Sequence, residues 1–285
     1  MADTQFIKDN LKGAVPTEIA KDVIKNIVTQ STAFSVCKHV PMTSDTKVLP
    51  ILSDSGSAYW VEEGEKIGTS IHGWEYPSLE AKKLAVIIPV TKEKVDDTVI
   101  SVMEEIKQGI ADAFTRAIDG AIFFGTNSPF ESNIVGSVVE GSKITATDKI
   151  DIDISNAMSK VEANDLVVNG VVAPNSIKGT LRTLRDANGN MVVVPGGATG
   201  QQIYNTPIYI PTSKAWDSSK ANVIVGDFNK AIIGTRSEIK YEILDQATVG
   251  GINLAENDLL AIKCTMRFGF NVIDSKAFAL IKPHA

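Results

Sequence analysis

The sequence predicts an α+β fold with one large or two smaller cores, and three observations carry that expectation. A helical stripe runs from about Thr98 to Ala121, and strict apolar–polar alternation runs from Leu260 to Val272. Between them and the N-terminus, a segment from Ala58 to Tyr76 sets aromatic residues among glycines and acids, too apolar for a solvated loop and too broken for a helix. At 285 residues, with 44% apolar and 22% charged, the chain has ample capacity to bury a core.

The first fifteen residues are polar with isolated apolar positions and read as an arm. Pro16 opens a short amphipathic helix in which Ile19, Ala20, Val23, Ile24, Ile27 and Val28 recur at three- and four-residue spacing, with Lys21, Asp22, Lys25 and Asn26 opposite. Thr46 to Leu52 reads as a strand. The aromatic segment follows, with Tyr59, Trp60, Ile67, Ile71, Trp74 and Tyr76 as its apolar positions. Leu84 to Val90 is then nearly all apolar and β-branched, the pattern of a strand buried on both faces.

The long helix carries Val99, Val102, Met103, Ile106, Ile110, Ala113, Phe114, Ala117 and Ile118 on its stripe, and Asp112 stands four residues before Arg116 on the polar side. Gly109 costs about 1 kcal/mol against alanine in its interior and is expected at a bend or a close contact. Gly125 is a reasonable stop. In the middle of the chain, Leu166 to Ala173 reads as a buried strand running into Pro174, followed by a helix whose Ile177, Leu181 and Leu184 share a face. Asn188-Gly189 marks a turn before a strand from Met191 to Val194. Ala221 to Val225 and Glu238 to Leu244 are further strands, the second with Ile239, Tyr241 and Ile243 on one face and Glu238, Lys240 and Glu242 on a wet one. The last strand places Leu260, Ile262, Cys264, Met266, Phe268, Phe270 and Val272 on one face over roughly 40 Å. That length matches the helix, and the two together suggest one elongated platform.

Net charge is −6 and the longest basic run is Lys82-Lys83, so no electrostatic footprint for gripping nucleic acid through its phosphates is present. The N-terminus lacks a signal peptide's pattern, and no window approaches the ~18 apolar residues of a membrane span, so neither export nor membrane insertion is expected. Cys37 and Cys264, far apart in a chain this size, suggest a reducing compartment and two unpaired, buried thiols. His39, His72 and His284 are isolated, which argues against zinc. Asp148, Asp151 and Asp153 lack the glycine and terminal glutamate of a calcium loop and read as a solvated strand edge. Gly196, Gly197 and Gly200 do not make a dinucleotide or phosphate loop, and no nucleophile elbow occurs. No enzymatic activity, cofactor or metal is therefore expected.

Glu62, Glu63 and Glu65 could be paired catalytic carboxylates, but charge around apolar anchors is how an interface rim is built. Tyr59, Trp60, Ile67 and Trp74, with those three acids, are accordingly read as intersubunit contacts. The competing reading places Trp60 and Trp74 in an ordinary core.

The order of these segments resembles one family. The proline-led helix, the loop reading Ala58-Tyr59-Trp60-Val61-Glu62-Glu63-Gly64, the strand ending Ile88-Pro89-Val90-Thr91 and the helix closing on Phe124-Gly125 are similar to major capsid proteins of tailed bacteriophages, of the Hong Kong 97 type. So are Leu184-Arg185-Asp186-Ala187-Asn188-Gly189, Pro207-Ile208, Gly226-Asp227-Phe228 and Ala277-Phe278, and the likeness spans essentially the whole chain. Asn205 stands where that family usually has glycine before Thr206-Pro207.

The resemblance implies a shell subunit in four parts. These are an N-terminal arm and short helix at 1–33, an extended loop at 53–83, a peripheral domain at 34–52, 84–149 and 256–285 with a spine helix and long strands, and an axial domain at 150–255. It implies self-association into hexameric and pentameric capsomers and an icosahedral shell in the virion, assembled in the host bacterial cytoplasm. The implied partners are a separate scaffolding protein, a portal protein and double-stranded DNA packaged without sequence-specific binding, with a decoration protein as an optional addition and no membrane. Some members cross-link through a loop lysine; Lys66 is the only lysine near this tip, and no motif locates its acceptor. An encapsulin-like compartment on the same fold is the alternative, and an enzyme of unrelated α+β fold a more distant one.

Overall fold

The computed structural model describes residues 31–54, 56, 58, 60–66, 69, 73–92, 99–147, 149–185, 202–211 and 215–283. The expected arm and first helix, the turn and strand at 188–194, and Gly196, Gly197 and Gly200 lie outside these residues. Two sheets organise the chain. The first has four strands in the order β1 (Lys38–Pro41), β12 (Ala231–Leu244), β15 (Leu259–Val272) and β6 (Lys82–Thr91). β1 runs parallel to β12, and the other pairs are antiparallel. The second has six strands in the order β7 (Lys143–Thr145), β16 (Phe278–Lys282), β11 (Val223–Gly226), β8 (Gly170–Val172), β10 (Thr206–Tyr209) and β9 (Gln202–Ile203).

β15 is as alternation predicts: Ile262, Cys264, Met266, Phe268 and Phe270 are all buried on one face. Facing them is α2 (Val99–Phe124), a 26-residue helix about 39 Å long. Ile110, Phe114, Ile118 and Ile122, spaced four apart, enter the same core as the β15 side chains. Two members of the expected stripe do not: Ala113 and Ala117 are exposed and line a groove with Arg116. Asp112 accepts a hydrogen bond from Gln108 Nε2 at 2.9 Å, and no ion pair joins it to Arg116. Helix α2 runs three residues past the expected end, and Gly125 then takes φ +66°, a conformation that favours glycine.

Gly109 is exposed, and a Cβ built on it meets nothing within 4 Å, so the subunit itself supplies no close contact there. Gly109→Ala is expected to stabilise the isolated subunit by about 0.5–1 kcal/mol through helix propensity. A lower melting temperature for the variant would refute this.

The six-stranded sheet is covered on both sides. Val223, Val225, Ala279 and Ile281 pack against Ile154, Ala157, Met158 and Val161 of α4 (Ile150–Glu162), while Ile224, Phe278 and Leu280 enter the core beneath α2. β11 is therefore buried at every position, which is why its sequence lacks alternation. α5 (Ile177–Thr183) adds Ile177 and Leu181 to the second core. Residues 204 and 205 turn β9 into β10, and Tyr204 and Asn205 have φ of +49° and +63°. Asn205 thus holds a left-handed position, which asparagine tolerates better than most residues.

Several expectations are corrected. Thr46 to Leu52 is two strands, β2 (Thr46–Val48) and β3 (Ile51–Asp54), interrupted at Leu49-Pro50. The strand expected at Leu166 to Ala173 is confined to Gly170–Val172; just before it, Asn169 Nδ2 donates to Asp227 Oδ1 at 2.8 Å and its Oδ1 accepts from Phe228 N at 2.9 Å. Asp151 and Asp153 open helix α4 and are not a strand edge; Asp153 is buried and accepts from Thr147 N at 2.7 Å and Thr147 Oγ1 at 2.9 Å. Glu238 to Leu244 is the distal half of the longer β12. Neither sheet is contiguous in sequence, since β12 joins the four-stranded sheet and β16 the six-stranded one.

The largest correction concerns β6. It is an edge strand, and only Leu84, Val86 and Ile88 reach the core, while Lys83, Ala85, Ile87 and Pro89 are exposed. Pro89 has no N–H to give a second neighbour, in keeping with an edge.

Cys37 and Cys264 are free and buried. Burial pushes the Cys37 thiol far up, with the Asp119 carboxyl adding to it, and burial lifts Cys264 to about 11. Both are inert small hydrophobes at neutral pH.

Candidate assembly site

The segment between β2 and β6 is built as two consecutive ribbons. β2 pairs antiparallel with β5 (Ser78–Glu80), and β3 pairs antiparallel with β4 (Gly73–Glu75). The first ribbon is anchored: Leu79 is fully buried against Met42 and Ile232 on the four-stranded sheet. Two glycines facing each other in that sheet permit the contact. A Cβ on Gly234 would stand 2.4 Å from Met42 Sδ, and one on Gly269 would stand 2.7 Å from the Glu80 carbonyl oxygen.

The second ribbon has no such buried anchor among the described residues. Trp74 pairs with Leu52, and the two are 54% and 42% exposed; Val48, at the end of β2, and Tyr76, between β4 and β5, are exposed as well. A two-stranded ribbon by itself is marginal in water, and this one leaves large apolar side chains uncovered. Farther out, Glu65 N donates to the Glu62 carbonyl at 3.1 Å, and Gly64 takes φ +91°, closing a tight turn. Glu62, Glu63 and Glu65 are all exposed around this turn, with Trp60 fully exposed just before it. None of the three carboxylates has an ion-pair partner among the described residues.

Of the residues expected to make intersubunit contacts, Trp60, Glu62, Glu63 and Glu65 are therefore gathered at the tip, and Trp74 lies on the ribbon. Tyr59 and Ile67 lie outside the described residues. Val48 and Leu52 were missed as exposed apolar positions. They fall on two separate strands, β2 and β3, so the pattern of a single strand over Thr46 to Leu52 does not reveal them.

Among the described residues no group of histidines, cysteines and carboxylates could hold a metal ion, and no helix is long and apolar enough to cross a membrane. The buried carboxylates Asp119, Asp153 and Asp227 are engaged by hydrogen bonds within the fold.

Comparison with known proteins finds relatives along almost the whole chain. The family described as "Phage capsid family" matches residues 12–282. The major capsid protein of Staphylococcus phage 80alpha is 28% identical over 296 aligned residues, covering 99% of this chain and 88% of that protein. The probable major capsid protein gp17 of Mycobacterium phage D29 is 23% identical, covering 98% of this chain and 91% of that one. Among solved structures, a chain of Microbacterium phage Oxtober96 superposes with a TM-score of 0.79 at 27% identity, covering 89% of this chain and 91% of that one. A chain of Mycobacterium phage Bobi gives 0.77 at 30% identity, covering 90% and 91%.

Proposed function

Because the chain belongs to the phage capsid family, matched over residues 12–282, we propose that its extended ribbon and acidic tip hold neighbouring copies together in the icosahedral head of a tailed phage. The protein is a major capsid protein, a structural subunit whose work is self-association and which carries no turnover of its own. The observation that supports the ribbon's part is the exposure of Trp60 and Trp74 on an arm whose base, at Leu79, is its buried anchor among the described residues. Large apolar side chains ringed by charge are the usual anchors of a protein interface.

In this reading the four-stranded sheet and α2 form the peripheral body, and the six-stranded sheet with α4 and α5 forms the axial body near capsomer centres. Copies join as hexamers and pentamers in the host cytoplasm on a separate scaffolding protein, with a portal protein at the entry for double-stranded DNA. The negative balance of −6 suits a lining from which DNA must slide freely.

Negative-stain imaging and sedimentation of the purified protein, alone and with its scaffold, test this reading. Closed shells or rings are expected. A sharp monomer under both conditions, at high concentration and physiological salt, would overturn it. Shells loaded with a cargo enzyme in place of DNA would move the assignment to a protein compartment.

A further inference from the structure

A groove of about 940 Å³ lies between α2 and the start of the edge strand β6. Ala113 and Ala117 of α2 form one wall, and both are exposed. Leu84, Phe130 and Trp216 line much of the rest. Trp216 is fixed in place: its Nε1 donates to the Ala221 carbonyl at 2.9 Å, and its ring meets Phe124 edge-on at 5.0 Å. The groove is therefore preformed and largely apolar. Its rim is cationic, since Arg116 and Lys83 stand there without an ion-pair partner among the described residues.

The described chain begins beside this groove. Ser31 Oγ donates to Asp119 Oδ1 at 2.7 Å, and Ala33 N donates to the same oxygen at 3.1 Å. Asp119 precedes Gly120, which also lines the groove, and lies less than one helical turn from Arg116. The residues before Ser31 therefore leave the fold close to the groove's end. Among them are Ile19, Val23 and Ile27, spaced four apart as Ala113 and Ala117 are. As a helix, residues 16–28 would be about 20 Å long, and the three steps from Val28 to Ser31 reach about 10 Å, the width of a helix to be crossed.

We propose that in the free subunit this groove holds residues 16–28 of the same chain, as a helix laid beside α2. Ile27 rests on Ala117 and Val23 on Ala113, with Ile19 one turn farther along. Small side chains on α2 let a second helix axis come close, and equal spacing on the two helices lets their side chains interleave. Asp22, which borders the apolar stripe, then faces the rim that carries Arg116 and Lys83. The bonds from Ser31 and Ala33 to Asp119 fix the point from which the segment departs, which raises its effective concentration at the groove. The contact is internal to one chain, so it stands or falls apart from the shell reading above.

Disulfide trapping in the full chain, as dilute free subunits, tests the placement, because the bond needs Cα atoms within about 7 Å. The pairs Val23→Cys/Ala113→Cys and Ile27→Cys/Ala117→Cys should close within one chain. They should do so about tenfold faster than Lys25→Cys/Ala117→Cys, which uses the segment's polar face, and Ile27→Cys/Asp112→Cys, which uses the open side of α2. Cys37 and Cys264 are buried and do not compete. Non-reducing gels separate looped single chains from linked dimers. Equal rates for all four pairs mean a tether without a seat, dimers mean that a second copy fills the groove, and no linkage means that another partner fills it; each overturns the proposal. A second readout is Trp216 fluorescence in a chain carrying Trp60→Phe and Trp74→Phe. Val23→Asp/Ile27→Asp should raise its acrylamide quenching by about twofold with melting of the folded body retained, and unchanged quenching overturns the docking.

Discussion

Replacing Trp60 and Trp74 together by alanine is expected to leave the melting of the isolated subunit unchanged while sharply raising the concentration needed for assembly. Trp60 is fully exposed and Trp74 more than half exposed, so neither contributes a core contact whose loss the subunit would feel. In a particle each would be covered by a neighbour, and truncating such an anchor costs about 2 kcal/mol or more. One such loss weakens a contact about 30-fold, and a closed shell repeats that loss at every subunit. Sedimentation of the variant across a concentration series reads the effect. If the variant assembles normally but melts much earlier as a free subunit, the two tryptophans belong to a core and the interface reading of this arm fails.

The second large effect is expected within the subunit, at Asp119. This residue is 1% exposed on α2, where its Oδ1 accepts from Ser31 Oγ at 2.7 Å and from Ala33 N at 3.1 Å, and its Oδ2 accepts from Thr32 N at 3.3 Å. Ser31 in turn caps α1 (Thr32–Val36), its Oγ accepting from Phe34 N at 3.2 Å. One carboxyl therefore satisfies the free N–H groups at the start of a short helix that has too few residues to stand alone. Asp119→Ala strands two buried N–H groups and a hydroxyl, and it should cost about 3 kcal/mol. Asp119→Asn, which keeps one acceptor oxygen, should cost less. Chemical denaturation of both variants as free subunits checks the order, and an alanine variant as stable as wild type would show that α1 is held by packing alone.

Much of the scaffold was legible from spacing. The stripe through Ile110, Phe114 and Ile118 and the alternation from Ile262 to Phe270 each arise from one residue's neighbours along its own element, and local periodicity records that directly. The tip was legible for a related reason: Trp60, Glu62, Glu63, Gly64 and Glu65 in succession cannot form a core, so their exposure follows from composition. Groupings of distant residues were not. Lys83 and Lys240 lie far apart in the chain and meet on one face only because β6 and β12 flank β15. Asp119 was invisible too, since a single aspartate on a helix has the same local pattern whether it meets water or caps another helix.

By itself, then, the sequence determined which segments are helix or long strand and where an uncovered apolar arm must project, because both are properties of nearest neighbours in the chain. The tertiary structure alone decided the rest. It sent β12 to the four-stranded sheet and β16 to the six-stranded one, split β2 from β3, and left one face of an apolar edge strand open. The physical reason is that strand pairing and burial depend on what stands across a gap. A run such as Leu84 to Val90 states only that both of its faces suit an apolar neighbour, and the subunit supplies a neighbour for one face.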